Sequence, residues 1–227
     1  MTTRQSSITD ELRKLLLSGT FPAGQHLEEI PLAQSLGVSR TPVRAALAAM
    51  AQEGLLTYRS KRGYVVRAFS LKEIMDAYLI RGTLEGLACR LVAERGLDAD
   101  SQQVLRACLE RSTELLAGGS LTESGFIPWR DTNDRFHQQI LKATESSTLI
   151  EATERTLAIP FTSSRVVHWI DFDGIRRSHD HHLIIFDALK RRQPARAEMM
   201  MVEHIYVASE VVRARFAASG GPAASSA

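Results

Sequence analysis

Residues 36–44 read Leu36-Gly37-Val38-Ser39-Arg40-Thr41-Pro42-Val43-Arg44, an order that few local structures accept. Gly37 permits a sharp turn. Ser39 is a favoured helix N-cap, because its hydroxyl can satisfy one of the orphan amide donors of a first turn. Pro42 is tolerated in that first turn, where its missing N–H has no intrahelical partner to lose. Ala45, Ala46, Leu47 and Met50 then carry a helix to Gly54, which stops it. Upstream, Leu32-Ala33-Gln34-Ser35-Leu36 predicts a short helix with one apolar face. Two short helices across a Gly-containing turn make a helix-turn-helix. The second begins with Ser39, Arg40 and Thr41 and presents Arg44 one turn on. These residue types suit phosphate oxygens and guanine edges in a major groove. An ordinary surface helix has the same cap, and the cap alone does not separate the two readings.

Ile8 to Leu17 predicts an amphipathic helix with Ile8, Leu12, Leu15 and Leu16 on one face. Beyond Gly54, Leu55-Leu56-Thr57-Tyr58 and Tyr64-Val65-Val66-Arg67 predict two short strands. Arg59-Ser60-Lys61-Arg62-Gly63 joins them as a basic hairpin. Such a tip either approaches a phosphate or minor groove or is a solvated turn. The letters VSRTPVRAAL, then EGLL, then Arg59 to Val66, closely resemble the winged helix-turn-helix of GntR-family transcription regulators from Ile8 to Arg67. Ala45 stands where many members carry Glu, on the side away from the proposed DNA contacts. The resemblance implies operator contacts from Ser39, Arg40, Thr41 and Arg44 in the recognition helix and from Lys61, Arg62 and Gly63 in the wing.

Net charge over the 227 residues is only +2 and says nothing about nucleic acid by itself. Its distribution does: residues 1–68 hold nine Lys/Arg against five Asp/Glu, and residues 69–227 hold nineteen against twenty-one. The basic excess sits with the helix-turn-helix, as a DNA-contacting domain needs. No apolar run approaches the roughly 20 residues of a membrane span. Met1 to Gln5 lacks the apolar core of a signal peptide, so a cytoplasmic location is the expectation. Cys89 and Cys108 form no metal-type or redox-type pair.

Ala68-Phe69-Ser70 reads as a boundary, giving a winged helix-turn-helix over 1–70, an all-helical domain over 71–217 and a disordered small-residue tail over 218–227. The expected fold class is mainly α. Six helices are predicted in the second domain: Leu71 to Arg95, Asp100 to Leu116, Pro128 to Ala143, Thr148 to about Val167 with a kink at Pro160, Ile175 to Arg191, and Pro194 to Phe216.

Three of its histidines share helical faces with apolar residues. His137 lies with Ile140 and Leu141, His182 with Ile185 and Phe186, and His204 with Val207, Ala208 and Val211. Each should point inward, where an unpaired polar ring is costly. Asn133 precedes His137 by four residues, so both reach one point inside a bundle. Metal sites in helical bundles are built from side chains on facing helices. Three imidazoles and an oxygen suit Zn, Ni, Fe or Mn. For each histidine taken singly, the competing reading is a core residue bonded to a neighbour.

The segments Tyr78 to Glu85, Phe136-His137 and His182 to Leu189 resemble the FCD effector domain of the FadR subfamily of GntR regulators, over about residues 72–216. Many FCD domains bind a divalent metal through one Asp and three His. By position these fall on Asn133, His137, His182 and His204, with Asn in place of the Asp. Asp134, one turn before His137, is the alternative oxygen donor. The resemblance further implies a small carboxylate effector that completes the coordination. Arg81 stands at a frequent family carboxylate partner, in competition with a salt bridge to Glu85 at i+4, and Arg130 is a second candidate. Together these readings predict a dimeric, ligand-responsive repressor that binds double-stranded operator DNA, with no enzymatic activity. The rivals are the same regulator with a metal-free pocket for a larger ligand such as an acyl thioester, and a metal-dependent hydrolase. Against the hydrolase, there is no His-Glu-x-x-His pair and no general base beside the ligand set.

Overall fold

Helix formation around residues 29–52 follows the predicted pattern, with one physical difference at the cap. The strand β1 (His26–Leu27) leads into α1 (Glu29–Ser35), and the recognition helix α2 (Arg40–Gln52) follows the Gly37 turn. Ser39 is the N-cap by backbone, at φ −76 and ψ 164, yet its side chain makes no capping bond. Pro42 accounts for part of this. A capping hydroxyl takes its hydrogen bond from the second or third helical amide, and Pro42 is the third residue, so only the Thr41 amide is left as a donor and the side chain does not take it up. The Ser39 hydroxyl is therefore not consumed by the helix. Val43, Ala46, Leu47 and Met50 are each 0% exposed and seat α2 in the core. Gly54, at φ 75, ends it in the left-handed conformation that favours glycine.

β2 (Leu56–Arg59) and β3 (Gly63–Val66) form the wing, with Leu56 opposite Val66 and Arg59 opposite Gly63. β1 adds antiparallel to β3, giving the order β1-β3-β2. Two residues carry no readable periodicity, which is why β1 is invisible to sequence patterning. The structure, a computed structural model, describes residues 8–9, 11–13, 15–16, 20–60, 63–121, 123–159, 162 and 171–218. The wing-tip residues Lys61 and Arg62 lie outside them.

Ser70 and Glu73 form a reciprocal capping box that starts α3 (Leu71–Arg95). The helices α4 (Ala99–Leu116), α5 (Glu123–Ala143), α6 (Ser147–Leu157), α7 (Phe172–Lys190) and α8 (Pro194–Ala218) complete the bundle. α3 and α8 are its central pair. They approach closely because α3 carries glycine at the contact: a Cβ added at Gly86 would lie 2.8 Å from Val202 Cγ2, and one at Gly82 3.6 Å from Ile205. α4 packs on α5 and α7, α7 on α8, and α6 on α3. One apolar cluster runs from Leu12, Leu47 and Leu55 through Ile74 to Phe136, Ile185 and Met201. Each such buried side chain contributes about 1.5–3 kcal/mol, so the winged helix and the bundle share a continuous core.

Several predicted helix bounds are corrected. α7 starts at Phe172, with Asp171 as its N-cap, rather than at Ile175. α5 starts at Glu123 rather than Pro128, so the proline is internal. A satellite cluster of Trp129 and Ile175 with Phe126, Leu115, Leu116 and Leu121 anchors the upstream turns and outweighs the proline's disruption. α6 ends at Leu157, well short of Val167. The buried Thr162 hydroxyl lies 2.7 Å from both the Thr156 and the Ile159 carbonyl oxygens, which share its single proton, and closes the C-terminal turn. The expected kink at Pro160 lies outside the described residues. α8 runs through Ala218, the first residue assigned to the tail, and residues 219–227 are likewise outside the described set.

Candidate metal centre and nucleic-acid interface

α5, α7 and α8 each turn one histidine into the bundle, and the three meet. His137, His182 and His204 are 6%, 4% and 5% exposed. Their Nε2 atoms form a triangle with all three sides 3.2 Å. Phe136 stacks on His182 with ring centroids 4.2 Å apart and holds its plane. Burial, reinforced by the neighbouring histidines, pushes His182 and His204 well below the usual imidazole range, so both are neutral.

His137 is oriented from behind. Its Nδ1 donates to Glu85 Oε2 of α3. An ionised carboxylate only accepts, so Nδ1 carries a proton, and in the neutral ring that tautomer turns the Nε2 lone pair toward the triangle. Glu85 is 2% exposed, which alone would raise its pKa. The Arg81 charge and the His137 bond outweigh burial and hold it well below the usual carboxylate range. Arg81 Nε donates to Glu85 Oε1 at 2.6 Å, and Arg81 Nη1 to the Thr162 carbonyl at 2.6 Å. A line of bonds thus runs from the triangle through Glu85 and Arg81 to the end of α6.

This donor set fits a divalent cation. In-plane ring nitrogens at the corners of a triangle cannot satisfy one another with linear hydrogen bonds on all three sides. A cation satisfies all three lone pairs at once. The centre of an equilateral triangle of 3.2 Å side lies about 1.85 Å from each corner, marginally less than the ~2.0–2.1 Å of a zinc–imidazole bond. The carboxylate behind His137 is the usual outer partner of a ligating histidine.

The remaining predicted residues divide. Asn133 is 8% exposed, one turn before His137, and lines a narrow cleft with His182 and Phe136. Asp134 lines a different and larger cavity of about 600 Å³, together with His137, Arg81 and Glu85. That cavity reaches the N-terminal region through Arg13 and Glu53 and is walled by α6 at Glu151, Glu154 and Arg155. Arg81 is in the ion pair with Glu85 rather than unengaged. Arg130 borders neither space and pairs with Asp131 at 3.2 Å.

Sequence reading missed Glu85 as the partner of His137. The available signal was a carboxylate on the Ala77/Tyr78/Cys89 face of α3, because buried acids are nearly always paired. It also missed His179, buried beside Thr113 with Nε2 and Oγ1 3.0 Å apart.

On the winged helix, Ser39, Arg40, Thr41 and Arg44 are all exposed on α2 or at its cap. Gly63 is partly exposed at φ 72 beside the hairpin tip. Arg44 Nε and Nη2 each lie 2.8 Å from one oxygen of Glu29, and Arg40 Nη2 lies 3.2 Å from Glu29 Oε2. This three-residue cluster across α1 and α2 was not anticipated.

Comparison with known proteins accords with both halves. Residues 4–66 match the family model of bacterial regulatory proteins of the gntR family, and residues 76–206 match the FCD domain. The chain is 30% identical over 193 residues to the Nta operon transcriptional regulator of Aminobacter aminovorans, covering 84% of this chain and 86% of that protein. It is 26% identical over 205 residues to the HTH-type transcriptional repressor RspR of Escherichia coli, covering 89% of this chain and 86% of the repressor. The solved structure of E. coli McbR/YncC superposes with a TM-score of 0.77 at 19% identity, over 95% of this chain and all of that one, which shows the shared fold. The chain therefore belongs to the GntR family of bacterial transcriptional regulators, with an N-terminal winged helix-turn-helix and a C-terminal FCD domain.

Proposed function

We propose that this regulator is a metal-dependent, organic-acid-responsive repressor of the FadR type, acting in the cytoplasm as a homodimer on operator DNA. The carrying observation is the 3.2 Å triangle of His137, His182 and His204 Nε2 atoms, with His137 held by Glu85. These three histidines would hold the ion, Asn133 or Asp134 would supply an oxygen, and the bound cation would supply Lewis acidity toward a carboxylate. Imidazole ligates a metal in its uncharged form, so three of them would leave the cation's charge uncompensated, and Glu85 is already balanced by Arg81, so an anionic effector is favoured. The 600 Å³ cavity is its site, because it touches His137 and Arg81 at one end and the N-terminal region at the other. Occupancy there biases the populations of DNA-competent and incompetent dimers.

Exposed apolar side chains on α3 and α8 support the homodimer reading. Leu79 and Ile80 on α3 are 72% and 51% exposed, and Met199, Val202 and Tyr206 on the adjoining α8 are 70%, 42% and 54% exposed. Clustered exposed apolar residues of this size mark interaction surfaces. Among the described residues no helix is long and apolar enough to cross a membrane.

The cavity volume favours a second reading, a metal-free pocket for a larger ligand such as an acyl thioester, since ligand pockets of about 300–1,000 Å³ hold drug-sized molecules. Operator DNA selected with the full chain, titrated with and without chelator and an organic-acid panel, separates the two. Release that requires both metal and a small acid supports the metal-dependent reading. Release by a larger ligand in chelator supports the second.

A further inference from the structure

Glu29 has no place in the reading so far, yet it is the carboxylate in contact with both arginines of the recognition helix. It stands in the first turn of α1 with its side chain 22% exposed, whereas Arg40 and Arg44 remain 57% and 61% exposed. The bond from Arg44, opposed by burial, draws the Glu29 pKa down, and the same bond draws that of Arg44 up. The pair is bidentate: Glu29 occupies the Nε–H and one Nη2–H of Arg44.

A guanidinium has five N–H donors in a planar fork. With that edge taken, the outer edge, formed by Nη1–H and the second Nη2–H, still points away from the carboxylate. Two parallel donors are what the O6 and N7 acceptors of guanine require. Phosphate has no such demand and is drawn mainly by charge. A carboxylate in place therefore leaves base reading intact while cancelling much of the attraction to arbitrary phosphates. It also fixes the rotamer of a long side chain before DNA arrives.

We propose that Glu29 is a specificity-determining residue of the DNA interface, which buttresses Arg44 for guanine and suppresses its binding to non-operator DNA. This rests on the placement of Arg44 against operator DNA. The test uses the full chain and two duplexes, an operator selected in vitro with the unaltered protein and a random-sequence duplex, titrated by fluorescence anisotropy over a salt series. Glu29→Gln keeps size and an acceptor but removes the charge. It should bind the random duplex about 3–10-fold more tightly at low salt. Its plot of log affinity against log salt should steepen by about one unit, the increment of one added phosphate contact. The operator-to-random ratio should fall about tenfold, and Glu29→Asp should restore much of it.

Unchanged affinities and slope in Glu29→Gln would overturn the proposal and leave an inconsequential surface ion pair. A proportionate loss on both duplexes would overturn it too, by showing a structural role only. If instead Arg44→Ala binds the operator as tightly as the parent, the placement of Arg44 has failed, which is a separate outcome.

Discussion

Glu85→Gln removes one charge at the point where the fold and the candidate metal centre meet. The carboxylate, 2% exposed, accepts from Arg81 Nε on one oxygen and His137 Nδ1 on the other. An amide has one acceptor oxygen and one NH₂ donor. If its oxygen faces Arg81, the NH₂ meets Nδ1 and favours the tautomer with the proton on Nε2, which removes the lone pair a cation needs. If its oxygen faces His137, the NH₂ opposes the Arg81 N–H groups. Either way Arg81, 7% exposed, loses its counter-charge in the interior. Breaking a buried pair from one side costs about 3–5 kcal/mol, a large part of the roughly 5–15 kcal/mol stability of a domain. Loss of an outer-shell partner lowers metal affinity by about 10–100-fold. Urea denaturation of metal-stripped protein measures the first effect, and competition with a calibrated chelator the second. Replacing both residues, as Arg81→Met with Glu85→Leu, should be less destabilising than Glu85→Gln alone, because no charge is then stranded. Stability within about 0.5 kcal/mol of the parent together with unaltered metal affinity would refute the reasoning.

Three further outcomes are expected. Arg44→Ala should weaken operator binding by about 1–3 kcal/mol in a gel-shift titration if Arg44 reads a base. Asn133→Asp should raise metal affinity and lower affinity for an anionic effector, since it adds a negative charge beside the cation; calorimetry showing no change in metal affinity would place Asn133 outside the coordination shell. Gly86→Ala should destabilise by up to about 2 kcal/mol in urea, because overpacking of about 1–3 kcal/mol at Val202 offsets or exceeds the roughly 1 kcal/mol gain in helix propensity.

Sequence patterning reached His137, His182 and His204 because a helical period puts a residue's face on display through its neighbours, and each of these shares a face with Ile, Phe or Val. Their convergence needed the bundle. The period also locates a buried acid such as Glu85, but not what that acid touches, and the Arg81–Thr162 bond spans 81 positions. Proline misled at one helix end and was given too little weight at another. Pro128 is carried inside α5 by aromatic packing that no local rule contains, whereas α6, expected to run past Pro160 to about Val167, ends at Leu157, where the Thr162 hydroxyl closes its last turn. At α2 the local rules conflicted, since Ser39 favours a cap and Pro42 deletes one of its two possible donors. Glu29 was overlooked because its partners lie across the turn, at separations of 11 and 15 residues.

The central claim is most directly tested by metal stoichiometry. Purified protein is stripped, equilibrated with Zn²⁺, desalted and assayed by elemental analysis, alongside His137→Ala, His182→Ala and His204→Ala. The account predicts that each variant binds one equivalent less per chain than the parent and loses the parent's metal-dependent rise in melting temperature. Metal content equal in the parent and all three variants would contradict it and return the histidines to the role of bonded residues lining a helical pocket.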